Sequence, residues 1–131
     1  MLFMSATHVE TMNDLLAQSG EVRAMAADLG RELVIMYDLK SGPEGAPMYW
    51  TLRVGSQGVR FALTPSDREP DVTLRADWAA MIQSAKANRE GRQHQEVDIE
   101  FVGDKSVLTS IAPLMAAVRR VATVECEFPD A

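Results

Sequence analysis

The alcohol and thiol side chains of this chain that could act as nucleophiles are those of its serines, its threonines and a single cysteine. Cys126 stands between Glu125 and Glu127, and acidic neighbours disfavour the reactive thiolate. The nearest approach to a serine nucleophile elbow is the segment 55–58, Gly-Ser-Gln-Gly, but its spacing differs from Gly-x-Ser-x-Gly. This segment lies between two predicted strands, so we interpret it as a hairpin turn.

Metal binding and acid–base catalysis would need histidines or carboxylates that converge. His8 falls in the first turn of a predicted helix and His94 in a polar loop, so we expect both to be solvated surface residues. Glu96, Asp98 and Glu100 would share one strand face, but residues two apart on a strand are about 7 Å apart, too far to converge on a cation. With no glycine-rich phosphate loop either, we predict no catalytic residue, no metal site and no cofactor.

The composition indicates one globular domain over residues 1–131. Apolar residues make up 47% of the chain, and one cysteine cannot form a disulfide framework. The formal charge of −6 disfavours a nucleic acid partner, and no apolar run is long enough to span a membrane. The first residues lack the features of a signal peptide, so we expect a cytoplasmic protein. Eight methionines stand out, because methionine either fills a core or lines an adaptable cavity.

Apolar residues have helical spacing at the start of the chain, and they alternate with polar residues in the segments that follow. Apolar residues recur at three- and four-residue steps over residues 7–29, with a break near Gly20, so residues 1–30 form a helical segment. Alternation then predicts strands over residues 33–40, 48–54 and 59–63, arranged as an antiparallel meander. The remaining residues, 31–131, hold this sheet and the later helices.

The second half of the chain predicts two further strands and two helices. A short strand at residues 72–74 leads to Asp77, which suits the N-cap of a helix that ends near Gly91. Residues 96–101 alternate as a half-buried strand, and a long apolar helix follows, interrupted at Pro113. The predicted class is α+β, a five-stranded, mainly antiparallel sheet with helices packed on one face.

Three landmarks in this order resemble the sterol carrier protein 2 family. Residues 50–54, Trp-Thr-Leu-Arg-Val, and residues 59–61 are similar to its tryptophan-containing strand and hairpin partner. Residues 70–74, Pro-Asp-Val-Thr-Leu, followed by residues 77–82, Asp-Trp-Ala-Ala-Met-Ile, look like its short strand running into a helix. Residues 99–104, Ile-Glu-Phe-Val-Gly-Asp, resemble its last strand and turn before a closing apolar helix. The resemblance covers residues 33–121.

The resemblance implies a non-catalytic carrier with an apolar tunnel between sheet and helices, holding a fatty acyl chain, a sterol or a similar lipid. It places the following residues where tunnel-lining helices would be: Trp78, Met81, Ile82, Leu108, Ile111, Leu114 and Met115. The family usually has an extra short helix before the last strand, whereas this chain has only the polar run from Arg89 to Gln95. One wall of the tunnel is therefore expected to be missing.

Two other hypotheses remain open from the sequence. The methionine-rich apolar surface could form a homodimer or dock on a partner enzyme. Alternatively, the chain could be an enzyme acting on a lipid-like metabolite, with His94, Asp71 or Tyr37 as acid–base groups. No residue spacing supports the enzyme hypothesis.

Overall fold

The structure is a computed structural model that describes residues 1–93 and 96–130. His94 and Gln95, which fall in the polar run before the last strand, lie outside the described residues. The helices are α1 (Ala6–Gln18), α2 (Gly20–Asp28), α3 (Trp78–Arg89), α4 (Ser106–Ser110) and α5 (Ala112–Ala122). The strands are β1 (Leu33–Lys40), β2 (Met48–Gly55), β3 (Gly58–Ala62), β4 (Val72–Asp77) and β5 (Glu100–Gly103).

These five strands form one sheet in the order β3-β2-β1-β4-β5. The antiparallel meander of β1, β2 and β3 is confirmed, and β5 is antiparallel to β4. The pairing of β1 with β4 is parallel, however, so one of the four pairings departs from the antiparallel pattern. Alternation in a sequence reports which side chains share a face, and it carries no information about strand direction.

A short crossover connects β3 to β4 without a helix. Phe61 of β3 and Val72 of β4 stand level with each other, because Leu52 and Ile35 link them in register. The chain therefore has to travel only three strand spacings sideways, about 14 Å. Residues 63–71 can span that distance in extended form.

The crossover lies on the sheet face opposite the helices. The Thr51 hydroxyl donates to the Thr64 carbonyl at 2.7 Å, and the Arg53 guanidinium pairs with the Asp67 carboxylate. On the other face, alternate strand residues pack with residues of the helices into two buried apolar clusters. The predicted layer arrangement, with helices on one face of a five-stranded sheet, is confirmed.

Local signals set the helix boundaries. Ser5 and Ser19 cap α1 and α2, since each side chain accepts a backbone N–H of the following first turn. The Asp77 carboxylate accepts the Ala80 N–H at 3.0 Å, as its sequence position predicts. The last helix breaks at Ile111, and Pro113 stands in the first turn of α5, where its missing N–H costs no hydrogen bond.

The last strand differs from its sequence prediction. The alternating residues 96–101 predict a half-buried strand, but β5 covers Glu100–Gly103 and is exposed along its length. Val97 and Ile99 pack instead against the apolar clusters. The prediction was wrong here because alternation indicates that every second side chain is buried. It does not show that the backbone of these residues pairs with a neighbouring strand.

Candidate functional site

A cavity of about 520 Å³ lies between the sheet and the helices. Its size is typical of small-molecule sites. Strands β1, β2 and β3 supply one wall. Residues of α1, α3, α4 and α5 supply the rest, together with Phe3 and Met4 before α1 and with Ile111 and Thr123 beside α5. The residues that line it are Phe3, Met4, His8, Met12, Ile35, Tyr37, Leu39, Trp50, Leu52, Phe61, Met81, Ile82, Ala85, Asn88, Arg89, Leu108, Ile111, Met115, Val118, Arg119, Ala122 and Thr123.

The structure brings most of the candidate ligand-binding residues to this cavity. Five of the seven line it, namely Met81, Ile82, Leu108, Ile111 and Met115. Trp78 and Leu114 are not in its wall. Both are buried in the apolar clusters, at 7% and 2% exposure.

Half of the methionines of the chain are in the cavity wall. Met4, Met12, Met81 and Met115 line it, out of eight methionines in total. Met4 and Met12 come from the N-terminal part of the chain, Met81 from α3 and Met115 from α5. Because the methionine side chain is unbranched and flexible, such a wall can change shape to fit its contents.

One wall of the cavity is aromatic. The rings of Trp50 and Phe61 lie 5.0 Å apart between centroids, and Phe3 lies 6.1 Å from Trp50. Phe3 also packs on Phe128 at 4.8 Å, which joins the two ends of the described chain beside the cavity. Tyr37 lies in the same wall, and burial raises the pKa of its hydroxyl while the Arg119 charge opposes that shift.

His8 is the polar residue of the inner wall. Its side chain is fully buried, and its Nδ1 accepts the backbone N–H of Met4 at 3.0 Å. Its Nε2 is buried and has no hydrogen-bond partner among the described residues. The prediction of a solvated surface histidine was wrong, because α1 turns this position toward the sheet, where the His8 ring lies 6.0 Å from that of Trp50.

Exposed residues mark the side on which the cavity opens. Asn88 and Arg89 near the end of α3, and Arg119 and Thr123 at the end of α5, are exposed and also line the cavity. Arg89 donates to the Val124 carbonyl at 2.8 Å, which holds its guanidinium near the opening. Two cationic side chains at an apolar opening favour anionic or polar groups there.

The described residues between α3 and β5 do not contribute to this cavity. Residues 90–93 and 96–99 form no helix, and none of them lines the wall. The cavity is therefore present without the additional helix that the resemblance associates with the family.

The three residues considered for acid–base chemistry do not share one site in the described structure. The Asp71 carboxylate accepts the Val34 N–H at 2.7 Å and pairs with Arg68 at 2.9 Å, and it is not in the cavity wall. Tyr37 is in the wall, and His94 lies outside the described residues. Residues 1–93 and 96–130 contain no group of three or more acidic, histidine or cysteine side chains that could hold a metal ion. No helix within these residues is both long and apolar enough to cross a membrane.

The fold occurs in several solved proteins of distant sequence. A crystal structure of sterol carrier protein 2 aligns with a TM-score of 0.54 at 14% identity, over 92% of this chain and 96% of that chain. Apo sterol carrier protein 2 from Yarrowia lipolytica gives 0.51 at 12% identity, over 93% and 94%. A conserved hypothetical protein from Thermus thermophilus gives 0.59 at 15% identity, over 92% and 87%.

No protein-family model matches this chain, and no curated protein sequence matches it either. At identities of 12–15%, the structural comparison establishes the fold, and the function has to be argued from the site. The chain has the fold of sterol carrier protein 2, which confirms the resemblance predicted from its sequence landmarks.

Proposed function

We propose that this protein binds an apolar small molecule, such as a fatty acyl chain, a sterol or a similar lipid, in the cavity between sheet and helices. The observation that carries the proposal is the cavity itself, whose wall is mainly apolar and includes four methionines. The fold supports it, since two of the compared structures are sterol carrier proteins. The protein acts as a carrier or binder and not as an enzyme.

Burial of a ligand chain in this cavity is energetically sufficient for binding. Each buried methylene contributes about 0.8 kcal/mol, so a chain of about ten carbons contributes roughly 8 kcal/mol before the costs of association. A carboxylate at the end of such a chain would reach Arg89 and Arg119 at the opening. Decanoic acid is therefore a suitable first probe.

The test is displacement of the fluorescent apolar probe N-phenylnaphthylamine by decanoic acid. We expect saturable binding in the unmodified protein and a loss of at least about tenfold in affinity for Met115→Glu, because a carboxylate in the apolar wall needs hydration. Met115 is only partly buried, so the variant should fold.

Ala116→Glu is the matched control. Ala116 adjoins Met115 in α5, but it is exposed and does not line the cavity. The control introduces the same charge in the same helix and should bind like the unmodified protein. Equal binding by both variants would remove Met115 from the site, and absence of saturable binding in the unmodified protein would contradict the proposed function.

The homodimer and enzyme-docking hypothesis stays a prediction. Light scattering on the purified protein with and without decanoic acid checks the homodimer, because a dimer that excludes the ligand would shift toward monomer as decanoic acid binds.

A further inference from the structure

His8 presents a buried hydrogen-bond donor in the cavity wall. The Met4 N–H donates to Nδ1, so Nδ1 holds a lone pair and carries no proton. A neutral imidazole in this arrangement has its proton on Nε2. The group of His8 that is left for an external partner is therefore Nε2–H.

The surroundings of His8 keep the ring neutral. Burial lowers the pKa of His8 most, and the positive charges of Arg89 and of the terminal amino group lower it further. A neutral ring with this tautomer donates one hydrogen bond through Nε2 and offers no acceptor there. Its natural complement is an oxygen atom that accepts without donating.

The described part of the protein does not supply that oxygen. The Nε2 atom is buried, and no side chain or backbone group of residues 1–93 and 96–130 accepts from it. A buried donor without a partner is costly and uncommon in native proteins. The neighbouring wall includes Met4 and Met12, whose flexible side chains can move when a ligand enters.

We infer that the Nε2–H of His8 is a polar subsite for a neutral carbonyl oxygen, so that the ligand is an apolar molecule with a ketone, ester or similar carbonyl group. This inference rests on the proposed function, since it assigns a chemical feature to the ligand of the same cavity. The carbonyl lies at the inner wall beside Trp50, whereas any anionic group would lie at the opening with Arg89 and Arg119.

Two probes of equal chain length separate this subsite from simple apolar binding, namely decane and methyl octyl ketone. Two variants separate the roles of the two ring nitrogens. His8→Asn places an amide oxygen near the position of Nδ1, where it can accept from Met4 N–H, but it has no atom at the position of Nε2. His8→Gln places an amide N–H near the position of Nε2 and so keeps the donor.

The measured quantity is the dissociation constant of decane divided by that of methyl octyl ketone. We expect this ratio to fall roughly three- to tenfold in His8→Asn, which corresponds to one lost hydrogen bond, and to be retained in His8→Gln. Decane serves as the reference in each protein, because the ratio divides out any general change in the apolar cavity that the replacement of His8 causes.

A measurement on the unmodified protein avoids dependence on how the variants fold. In nitrogen-labelled protein, methyl octyl ketone should move the Nε2–H proton resonance of His8 downfield, and decane should not. If decane and the ketone both bind but the ratio is the same in His8→Asn, or the resonance does not respond to the ketone, the subsite is disproved and apolar binding stands. If neither probe binds although decanoic acid does, the subsite is disproved and the proposed function stands. If none of the three binds, both proposals are wrong.

Discussion

Trp50 and Trp78, the two tryptophans of the chain, differ in their relation to the cavity. Trp50 is part of the wall, and Trp78 is buried in an apolar cluster without reaching it. Ligand binding should therefore change the emission of Trp50 and leave that of Trp78 nearly constant. We expect decanoic acid to alter tryptophan fluorescence in Trp78→Phe and to have little effect on it in Trp50→Phe.

The comparison of these two variants is internally controlled, because each keeps one tryptophan and both replacements are aromatic. Displacement of N-phenylnaphthylamine measures binding independently in both. A fluorescence response confined to Trp50→Phe would place the ligand at another site.

Burial of His8 should make folding stability depend on pH. In the unfolded chain the imidazole takes up a proton near its ordinary pKa of 6.5, whereas the folded protein resists that proton because its pKa is lowered. The unfolded state therefore binds more protons below pH 6.5. The free energy of unfolding should fall as the pH decreases below that value, and it should be insensitive to His8 above it.

Urea unfolding between about pH 7.5 and pH 5 measures this effect. His8→Asn does not titrate at this position, so the difference in unfolding free energy between the unmodified protein and His8→Asn should shrink or reverse as the pH falls. A difference that stays constant across the range would show that His8 protonates equally in both states.

Two glycines in left-handed conformations provide a test at the level of the elements. Gly103 ends β5 with φ of 102°, and a Cβ there would lie 2.5 Å from the Asp71 carbonyl oxygen. Gly91 follows α3 with φ of 67°, and a Cβ there would meet no atom of the described residues within 4 Å. An alanine would be strained at either position, but only at position 103 would its Cβ also clash with the backbone.

We expect Gly91→Ala to cost about 1 kcal/mol in the free energy of unfolding, and Gly103→Ala to cost about 2 to 3 kcal/mol or more. The clash would separate β4 from β5, since the Asp71 carbonyl also accepts the Asp104 N–H at 2.9 Å. Thermal or urea unfolding of the two variants measures both values. An equal decrease in the free energy of unfolding in both variants would show that β5 can move away from β4 without loss of stability.

The sequence predicts elements better than it predicts their partners. The strands β1, β2 and β3 follow alternation closely, and Asp77 marks the start of α3. The parallel pairing of β1 with β4 depends on how far β3 extends and where the crossover begins, which no local pattern encodes. β5 was misplaced because Val97 and Ile99 are buried by packing outside the sheet.

The residues of the candidate site were predictable where the helical spacing of apolar residues places them. Met81, Ile82, Leu108, Ile111 and Met115 lie on apolar helix faces, and all five line the cavity. His8 was missed because a histidine near the start of a helix is usually solvated, and its burial depends on residues far away in the chain. A signal was present in the spacing of His8 with Met12, which places both on one face of α1.

For the whole molecule, binding in the cavity should raise thermal stability. A ligand that binds only the folded state adds about 2.7 kcal/mol of stability at one hundred times its dissociation constant. We expect decanoic acid to raise the melting temperature of the unmodified protein and of Ala116→Glu, and to have little effect on Met115→Glu. Scanning calorimetry measures this, and an equal rise in all three would indicate binding away from the cavity.

The residues that line the cavity are spread along the chain from Phe3 to Thr123, so the cavity can form only late in biosynthesis. α1 and α2 pack with α5 around one buried cluster, and Glu21 pairs with Arg120 at 2.8 Å. Contacts so distant in sequence are slow to form. A growing chain on the ribosome would complete its sheet before α5 emerges, so the cavity could take up a ligand only once the last helix has been made and docked.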